Sequence, residues 1–337
     1  MRYSRQELFA GIGREGQARI AQARVVVVGC GALGSVLAEM MTRAGVAALT
    51  VIDRDYVEES NLQRQALFDE DDVARGLPKA AAAEARLRRI NSHVEVRGIV
   101  TDLAVDNAAE LLAGATLVLD GTDNFETRFL LNDVCLKERI PWVYGACVGS
   151  YGLALLVRPG VSPCLRCVLE EMPAPGTSPT CDTAGVIAPI VHVVAGLQAA
   201  EALKLLAGRE AALRPGIVTV DLWRAHFETM DFGGQAPWCP ACTEGRYDYA
   251  SRSAVLGAVV LCGRDAVQVR APRGTQVDLA SLAARLAPAG DVTANEHLVR
   301  FRAPGAELVV FKDGRAIVKN AKDAAQARSV YARYVGA

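Results

Sequence analysis

The chain has 337 residues, of which 51% are hydrophobic and 22% are charged, and this balance is typical of a packed soluble protein. Its formal net charge of −1 gives no global field that would recruit nucleic acid or an anionic membrane surface, so we expect neither as a partner. The N-terminus lacks the apolar core of a signal peptide. The longest apolar stretch, 186–200, is interrupted by His192 and Gln198, and we expect no membrane span.

Helices and strands are predicted to alternate over the first 150 residues. An amphipathic helix over 1–20 precedes an uninterrupted β-branched run that ends at a glycine, which is typical of a buried parallel strand. The elements predicted next are the strands 24–29, 48–53, 94–100, 116–120 and 142–146 and the helices 32–43 and 78–90. This alternation predicts an α/β fold with a doubly wound, Rossmann-like, mostly parallel sheet that binds ligands at the carboxyl ends of its strands.

After residue 149 the pattern changes to shorter strands, 151–158 and 217–221, around a helix at 188–206. These strands predict an antiparallel extension of the sheet, and His192 is expected to be a core histidine of the helix. The loop 172–180 is rich in proline and small polar residues and is expected to be mobile.

The composition changes again at about residue 249. Two short strands, a helix at 279–286, a strand pair joined by a two-residue turn at Asp313-Gly314, and a helix at 323–334 predict a small α+β domain. We therefore divide the chain into a large α/β domain, 1–248, and a small accessory domain, 249–337.

A glycine-rich loop follows the first strand and opens the next helix. Its members are Gly29, Gly31, Ala32 and Gly34, and Asp53 ends the second strand. Glycines allow backbone amides to approach phosphates, and the carboxylate of Asp53 can hold ribose hydroxyls. The pattern predicts nucleotide binding without distinguishing NAD from ATP, so an NAD-dependent oxidoreductase remains an alternative.

A polar run after the second strand favours chemistry on ATP. It consists of Ser60, Asn61, Leu62, Gln63, Arg64 and Gln65, and it lies between Asp55 and Lys79. Arginine can bind two phosphate oxygens and lysine adds a positive charge. Asp123 and Asn124 follow another strand at the same edge, where a carboxylate is placed to hold Mg²⁺. A dehydrogenase does not need such a set.

The nine cysteines fall into distinct groups. Cys164, Cys167, Cys239 and Cys242 form two C-x-x-C pairs that predict a four-thiolate structural zinc site, and hence a reducing, cytoplasmic location. Cys181 follows the proline-rich loop, and a mobile loop could carry its thiolate to a reactive acyl group. The remaining cysteines with apolar neighbours are expected to be small buried hydrophobes: Cys30, Cys135, Cys147 and Cys262.

These motifs, in this order and together with 2–6 (Arg-Tyr-Ser-Arg-Gln), resemble the MoeB/ThiF/HesA adenylyltransferases over residues 1–247. The resemblance implies ATP-dependent adenylation of the C-terminal glycine of a ubiquitin-like or sulfur carrier protein ending in Gly-Gly, with release of pyrophosphate. It implies a homodimer in which Arg5 reaches the partner's ATP. It further implies that residues matching Asp53, Asn61, Arg64, Lys79 and Asp123 bind ribose, phosphates and Mg²⁺, and that Cys181 occupies the position of a reactive cysteine.

Two readings besides adenylation stay open at this point. One is the NAD-dependent oxidoreductase, and the other is a non-catalytic scaffold that binds a ubiquitin-like protein. The accessory domain departs from the minimal family pattern and is too short for a sulfur-loading rhodanese domain, so we expect it to dock a partner or stabilise an oligomer.

Overall fold

The computed structural model describes residues 2–174, 177, 180–251, 258–260, 266–272 and 274–336. The chain forms two compact units. The first comprises Met1–Ala74 and Lys79–Ser253, and the second comprises Arg75–Pro78 and Ala254–Ala337. The predicted mobile loop, 172–180, lies partly outside the described residues, and Cys262 lies wholly outside them.

The first unit is built on one eight-stranded sheet. Its strands are β1 (Arg24–Val28), β2 (Ala48–Asp53), β3 (Glu95–Val100), β4 (Leu117–Asp120), β5 (Trp142–Val148), β6 (Tyr151–Val157), β7 (Ile217–Asp221) and β8 (His226–Met230). The strand order is β3-β2-β1-β4-β5-β6-β7-β8, in which the first five are parallel and the last three are antiparallel. This arrangement confirms the predicted fold class.

Helices cover the sheet of the first unit. They are α1 (Ser4–Leu8), α2 (Gly13–Ile20), α3 (Ala32–Ala44), α4 (Glu70–Ala74), α5 (Lys79–Ile90), α6 (Ala108–Leu112), α7 (Phe125–Lys137), α8 (Leu165–Val168), α9 (Cys181–Ala184) and α10 (Ala188–Leu206). Short 3-10 helices occur at Glu59–Asn61 and Glu210–Ala212. The strands β1 and β4 are almost wholly buried, as expected of central parallel strands covered on both faces.

The single helix predicted over 1–20 is wrong, because the structure has two helices there. Gly13, the first residue of α2, has a φ of +67°, a left-handed conformation that cannot continue a right-handed helix. Leu8 and Phe9, at the end of α1, are 72% and 64% exposed. The apolar side of the first helix is therefore not part of this chain's core.

Helix α10 is 19 residues long and apolar enough to cross a membrane by length and composition alone. Half of its apolar window is buried within the protein, where the helix packs against α3, β5 and β6. A core helix passes the same test of length and composition, and these contacts account for its hydrophobicity.

The prediction that His192 is a core residue is wrong. Its side chain is exposed on α10, and its Nδ1 lies 3.0 Å from the carbonyl oxygen of Ala188, one turn earlier. Gln198, on the same helix, is fully buried instead. Because α10 is apolar almost all round, its sequence pattern did not reveal which face points into the core.

The second unit is an antiparallel sheet with two helices. Its elements are β9 (Ala258–Val260), β10 (Ala266–Val269), α11 (Leu279–Leu286), β11 (Asp291–Ala294), β12 (Leu298–Ala303), β13 (Ala306–Phe311), β14 (Ala316–Lys319) and α12 (Ala324–Tyr334), with a 3-10 helix at Ala287–Ala289. The strand order is β11-β12-β13-β14-β10-β9. Asp278 and Asp323 cap the two helices by accepting hydrogen bonds from backbone N–H groups of the first turn.

The turn between β13 and β14 has three residues and not the predicted two. Phe311 donates its N–H to the carbonyl of Arg315 at 2.9 Å, which leaves Lys312, Asp313 and Gly314 as the loop. Gly314 has a φ of +80°, the left-handed conformation that ends a three-residue hairpin loop.

Candidate active site

The carboxyl ends of three neighbouring strands meet at one edge of the first unit's sheet. In the register of the sheet, Val28 pairs with Ile52 on one side and with Asp120 on the other. The residues directly after Val28, Ile52 and Asp120 in the chain are Gly29, Asp53 and Gly121. The glycine loop, the acidic end of β2 and the segment after β4 are therefore adjacent, as the Rossmann-like topology requires.

Three glycines at this edge pack backbone against backbone. A Cβ atom on Gly34 would overlap the carbonyl oxygen of Gly29, and one on Gly121 would lie 2.6 Å from the Cα of Gly34. Gly29 also has a φ of +82°. This close packing brings the start of α3, with its unpaired N–H groups, to the mouth of the site, where an anionic phosphate is favoured.

Gly34→Ala should therefore destabilise the protein by about 2–4 kcal/mol, because the new methyl group must displace backbone atoms and not a flexible side chain. Gly196→Ala is the matched control, since a Cβ there meets no atom within 4 Å and Gly196 lies inside helix α10. The control should be neutral or stabilising by about 0.5–1 kcal/mol. Urea unfolding of both variants measures the difference, and equal stabilities would contradict the close packing.

Asp53 organises the loop through its carboxylate. Its Oδ2 accepts a hydrogen bond from the N–H of Cys30 at 2.5 Å, and its Oδ1 accepts one from the N–H of Asp55 at 2.7 Å. Burial raises the pKa of Asp53, the charge of Lys79 opposes this shift, and the charge of Asp55 adds to it. The side chain is thus fixed beside the glycine loop, where the sequence predicts ribose binding.

Lys79 is the buried cation of the site. Only 3% of the residue is exposed, its Nζ lies 3.3 Å from Oδ2 of Asp55, and its N–H donates to the carbonyl of Asp55 at 2.9 Å. It begins helix α5. Both backbone and side chain therefore fasten Lys79 to the acidic segment after β2, at the position where the sequence predicts a phosphate contact.

The polar run 60–65 folds as a 3-10 helix and a turn, and only part of it is buried. Asn61 and Gln65 are buried, Leu62 and Arg64 are half-buried, and Ser60 and Gln63 are exposed. Oδ1 of Asn61 accepts a hydrogen bond from the N–H of Glu58 at 3.2 Å, so this amide shapes the turn. Arg64 donates to the carbonyl of Ser60 at 2.8 Å.

Gln65 reaches back to the glycine loop. Its Nε2 lies 3.8 Å from the position that a Cβ on Gly31 would occupy. The run therefore approaches the glycine loop in the folded chain, although helix α3 and strand β2 lie between them in the sequence. The roles predicted for its individual residues stay predictions.

Asp123 and Asn124 form the turn between β4 and α7. Asn124 is the N-cap of α7, and its Oδ1 accepts a hydrogen bond from the N–H of Thr127 at 2.9 Å. Asp123 is exposed at the start of this helix. A carboxylate at this position is open to a metal ion bound by phosphates.

Two charged residues of this edge were missed by the sequence analysis. Arg54, between Asp53 and Asp55 at the end of β2, lies 3.3 Å from Oδ1 of Asp102, which follows β3. Burial opposes the positive charge of Arg54, but Asp102, Asp55 and other nearby carboxylates raise its pKa above the usual value. An arginine flanked by two aspartates at a strand end is the signal that could have revealed it.

Arg5 and Cys181 are the predicted catalytic residues that the structure does not place beside this cluster. Arg5 is exposed on α1, within a helix whose last residues are also exposed. Cys181 begins the short helix α9, which Thr180 caps by accepting a hydrogen bond from the N–H of Thr183 at 3.2 Å. The Cys181 side chain lies outside the described part of the chain.

The four predicted metal-ligating cysteines come together as a cluster. The Sγ atoms of Cys164 and Cys239 are 3.6 Å apart, those of Cys167 and Cys242 are 3.4 Å apart, and those of Cys164 and Cys167 are 3.9 Å apart. All four lie within 4.8 Å of one another. Tetrahedral zinc with Zn–S bonds of about 2.3 Å requires sulfur atoms about 3.8 Å apart, so the cluster fits this metal.

The burial of the other cysteines with apolar neighbours agrees with the sequence prediction only in part. Cys30 and Cys135 are buried, and burial raises the pKa of each thiol well above its usual value. Cys147 is half-buried and not fully enclosed. None of the three belongs to the four-cysteine cluster.

Comparison with known proteins decides the family. The model of the ThiF family matches residues 3–241, which is more than two thirds of the chain. The chain belongs to the ThiF family. A ThiF-family relative named sulfur carrier protein ThiS adenylyltransferase, from Bacillus subtilis (strain 168), is 48% identical over 337 residues, covering 99% of each chain.

Two further known proteins are similar to about three quarters of this chain. The SAMP-activating enzyme E1 of Haloferax volcanii is 43% identical over 73% of this chain and 90% of its own. The solved structure of E. coli MccB with ATP superimposes with a TM-score of 0.62 over 72% of this chain and 75% of that chain, at 22% identity, which supports the fold alone. The protein is an E1-like adenylyltransferase, as the sequence predicts, and the relatives give no support to an NAD-dependent oxidoreductase.

Proposed function

We propose that this enzyme uses Mg²⁺ and ATP to adenylate the C-terminal glycine of a small ubiquitin-like sulfur carrier protein of the ThiS kind. The carrier ends in Gly-Gly, and the second product is pyrophosphate. The observation that carries the proposal is the joint placement of the glycine loop, Asp53, Lys79 and the Asp123 turn at one sheet edge. The similarity to a ThiS adenylyltransferase along the whole chain, second unit included, favours this class of carrier.

The chemistry requires positioning more than proton transfer. An oxygen of the glycine carboxylate attacks the α-phosphorus, the bond from that phosphorus to the bridging oxygen breaks, and pyrophosphate leaves with the electron pair. The carboxylate is already ionised at neutral pH, so no general base is needed. The site must hold two anions in line and stabilise the charge that develops on the phosphates.

The residues of this edge suit these tasks. Backbone N–H groups at the start of α3 face the phosphates, the carboxylate of Asp53 accepts from ribose hydroxyls, and the ammonium of Lys79 opposes phosphate charge. Arg64, half-buried on the run 60–65, supplies a guanidinium fork. Asp55 holds Lys79 in place through the 3.3 Å ion pair.

We propose Asp123 as the ligand for Mg²⁺ because it is an exposed carboxylate at the end of β4. Magnesium, when bound, neutralises charge on the phosphates and keeps most of its ligands as water and phosphate oxygen. Asn124 lies beside it, with Nδ2 3.4 Å from Oδ1 of Asp123, and could orient that carboxylate.

The four-cysteine cluster is proposed to hold a structural zinc ion. All four positions of the tetrahedron are filled by Cys164, Cys167, Cys239 and Cys242, which leaves none open for a substrate. Thiolates of this kind persist in a reducing compartment, so we also propose a cytoplasmic location.

Arg5 and the exposed Leu8 and Phe9 of α1 favour a homodimer. A second copy would cover these apolar side chains and could receive Arg5 at its own phosphate site. Cys181 is proposed to accept the acyl group after adenylation: its thiolate attacks the acyl carbon, the bond from that carbon to the phosphate oxygen breaks, and AMP leaves as the thioester forms. Cys181→Ser should then retain pyrophosphate exchange and lose a covalent adduct detectable by mass spectrometry.

Pyrophosphate exchange tests the function directly. The purified protein is incubated with ATP, Mg²⁺, labelled pyrophosphate and a ThiS-like carrier that ends in Gly-Gly, and incorporation of label into ATP is measured. We expect exchange that depends on the carrier and is lost when the carrier lacks its last glycine. A nicotinamide-cofactor titration in parallel should give no binding.

The outcomes separate the candidate functions. Exchange without need of the carrier would contradict the proposed substrate, and no exchange with any Gly-Gly carrier would contradict adenylation. Carrier binding that survives Asp123→Ala together with unchanged cellular activity of that variant would favour the non-catalytic scaffold.

A further inference from the structure

The fourth residue of helix α7, Arg128, points back to the turn that precedes the helix. Arg128 lies in the first two turns of α7 and is only 7% exposed. Its Nη2 donates to the carbonyl of Thr122 at 2.7 Å and lies 3.5 Å from the carbonyl of Gly145. Its guanidinium also packs over the rings of Phe125 and Tyr144, at 5.5 and 5.4 Å from their centroids.

Thr122, the residue before Asp123, forms hydrogen bonds through its N–H, its hydroxyl and its carbonyl. Oδ1 of the buried Asp120 accepts hydrogen bonds from its N–H at 2.8 Å and from its hydroxyl at 2.7 Å. Arg128 holds the remaining group, the carbonyl. Thr122 directly precedes the exposed Asp123, so these hydrogen bonds fix the backbone on the N-terminal side of Asp123.

The strands behind this turn have a separate support. Gln198 of α10 donates from Nε2 to the carbonyl of Asp120 at 2.9 Å and to that of Val143 at 3.1 Å. A Cβ atom on Gly145 would overlap the side-chain amide of Gln198, so the glycine leaves the space that this amide occupies. Gln198 therefore joins the last residue of β4 to the start of β5, and Arg128 acts on the turn that follows β4.

The charges of Arg128 and Asp120 face each other without a hydrogen bond. Nε of Arg128 and Oδ2 of Asp120 are 3.5 Å apart, and both atoms are enclosed with no hydrogen-bond partner. A buried guanidinium that served only to neutralise Asp120 would be expected to form a direct fork with both carboxylate oxygens. Here its donor Nη2 goes to the backbone of Thr122 instead.

We propose that Arg128 is a positioning residue of the adenylation reaction: through the Thr122 carbonyl it fixes the turn that presents Asp123 to Mg²⁺–ATP. The inference rests on the proposed function, which assigns Mg²⁺ to Asp123. In this inference Arg128 acts through the backbone of the turn that precedes its own helix.

The test must separate positioning from simple charge balance. Arg128→Met alone would leave the buried carboxylate of Asp120 without its cation and could fail to fold. The double variant Arg128→Met/Asp120→Asn removes both charges, and the asparagine Oδ1 can still accept from the N–H and hydroxyl of Thr122. The double variant therefore removes the hydrogen bond to the Thr122 carbonyl and keeps the hydrogen bonds from the N–H and hydroxyl of Thr122. Arg128→Lys retains the charge and is the conservative companion.

Two measurements are made on the wild type and both variants. The first is amide hydrogen exchange of the segment 121–124 without any substrate, with α10 as the internal reference. The second is carrier-dependent pyrophosphate exchange as a function of Mg²⁺ concentration. In the double variant we expect faster amide exchange confined to the turn and activity about 10–100-fold lower, as for residues that orient a metal ligand. The Mg²⁺ requirement should rise several-fold and the KM for the carrier should stay unchanged. Arg128→Lys should give an amide exchange rate and an activity between those of the wild type and the double variant.

Each outcome decides the inference. Wild-type activity, wild-type Mg²⁺ dependence or unchanged amide exchange of the turn in the double variant would overturn it, because charge balance alone would then explain Arg128. Absence of pyrophosphate exchange in the wild type would overturn the proposed function. The amide exchange of the turn would still decide whether Arg128 orders it.

Discussion

Replacement of Lys79 by methionine should lower carrier-dependent pyrophosphate exchange by at least about 10²–10³-fold, the effect of removing one buried donor that stabilises transition-state charge. Methionine has nearly the same length and can fill the same space, so the change removes chiefly the ammonium group. The loss should fall on kcat more than on the KM for ATP, because phosphate charge grows most in the transition state.

The same substitution should also reduce stability in a pH-dependent way. Lys79 and Asp55 are both largely buried, with side chains 4% and 13% exposed, so removal of the lysine takes away the cation of this buried ion pair. Breaking a buried pair in this way costs about 3–5 kcal/mol. Burial raises the pKa of Asp53 and the charge of Lys79 opposes this rise, so the Lys79→Met protein should have an even higher pKa at Asp53.

The sign of the pH effect follows from that direction. A carboxyl group whose pKa is higher in the folded than in the unfolded state stabilises the fold most fully below the unfolded value, about 4. This contribution is lost as pH rises through the folded pKa. Lys79→Met should therefore lose more stability relative to wild type at pH 8 than at pH 5, as urea unfolding at the two values would measure.

Lys137→Met is the matched control for Lys79→Met. Lys137 is exposed in the last turn of α7 and has no place in the site, so both exchange activity and stability should stay near wild type. If Lys79→Met kept full activity, the phosphate role of the buried lysine would be wrong. If its loss of stability did not depend on pH, the coupling of Lys79 to Asp53 would be contradicted.

Much of the first unit could be predicted because its signals are local. The β-branched run of β1 is buried on both faces, and the glycine at its end is required by contacts with the backbone of Gly121. Parallel topology then brings the ends of β1, β2 and β4 together without further information. The two C-x-x-C pairs likewise have the spacing of metal ligands in the sequence, and the structure brings their four sulfur atoms together.

What the sequence could not reveal depends on long-range partners or on one backbone angle. Arg54 meets Asp102 across 48 residues, and Gln198 meets Asp120 across 78, with no pattern that links them. The N-terminal helix is broken by the left-handed Gly13, although a glycine alone does not specify that angle. Asn61, expected to donate to phosphate, accepts a backbone hydrogen bond with its side-chain oxygen and so also shapes the turn.

Loss of the proposed zinc ion should have the largest effect on stability. Cys164 and Cys239 are fully buried and 75 residues apart, so a metal bound by both would tie distant segments together. Structural zinc in small peptides contributes about 10–16 kcal/mol of apparent binding free energy at pH 7. The three thiolates that remain in Cys239→Ser retain part of this binding free energy. We therefore expect Cys239→Ser to lower the free energy of unfolding by about 5 kcal/mol, which is about 10–20 °C in Tm.

Metal analysis and calorimetry together test this expectation. The wild-type protein should carry one equivalent of zinc per chain, and a strong chelator should lower its Tm towards that of Cys239→Ser. Cys147→Ser is the control, since Cys147 is half-buried and outside the cluster, and it should retain both zinc and Tm. A full equivalent of zinc in Cys239→Ser would show that the metal binds elsewhere.

The two large effects should be separable within one molecule. Lys79→Met removes a charge at the strand ends and should keep the zinc content of the wild type, because none of the four thiols depends on that charge. Cys239→Ser should lose zinc and Tm, and well below its lowered Tm it should still bind ATP, because Asp53, Lys79 and the glycine loop remain in place. Loss of ATP binding by folded Cys239→Ser would mean that the metal also shapes the nucleotide site.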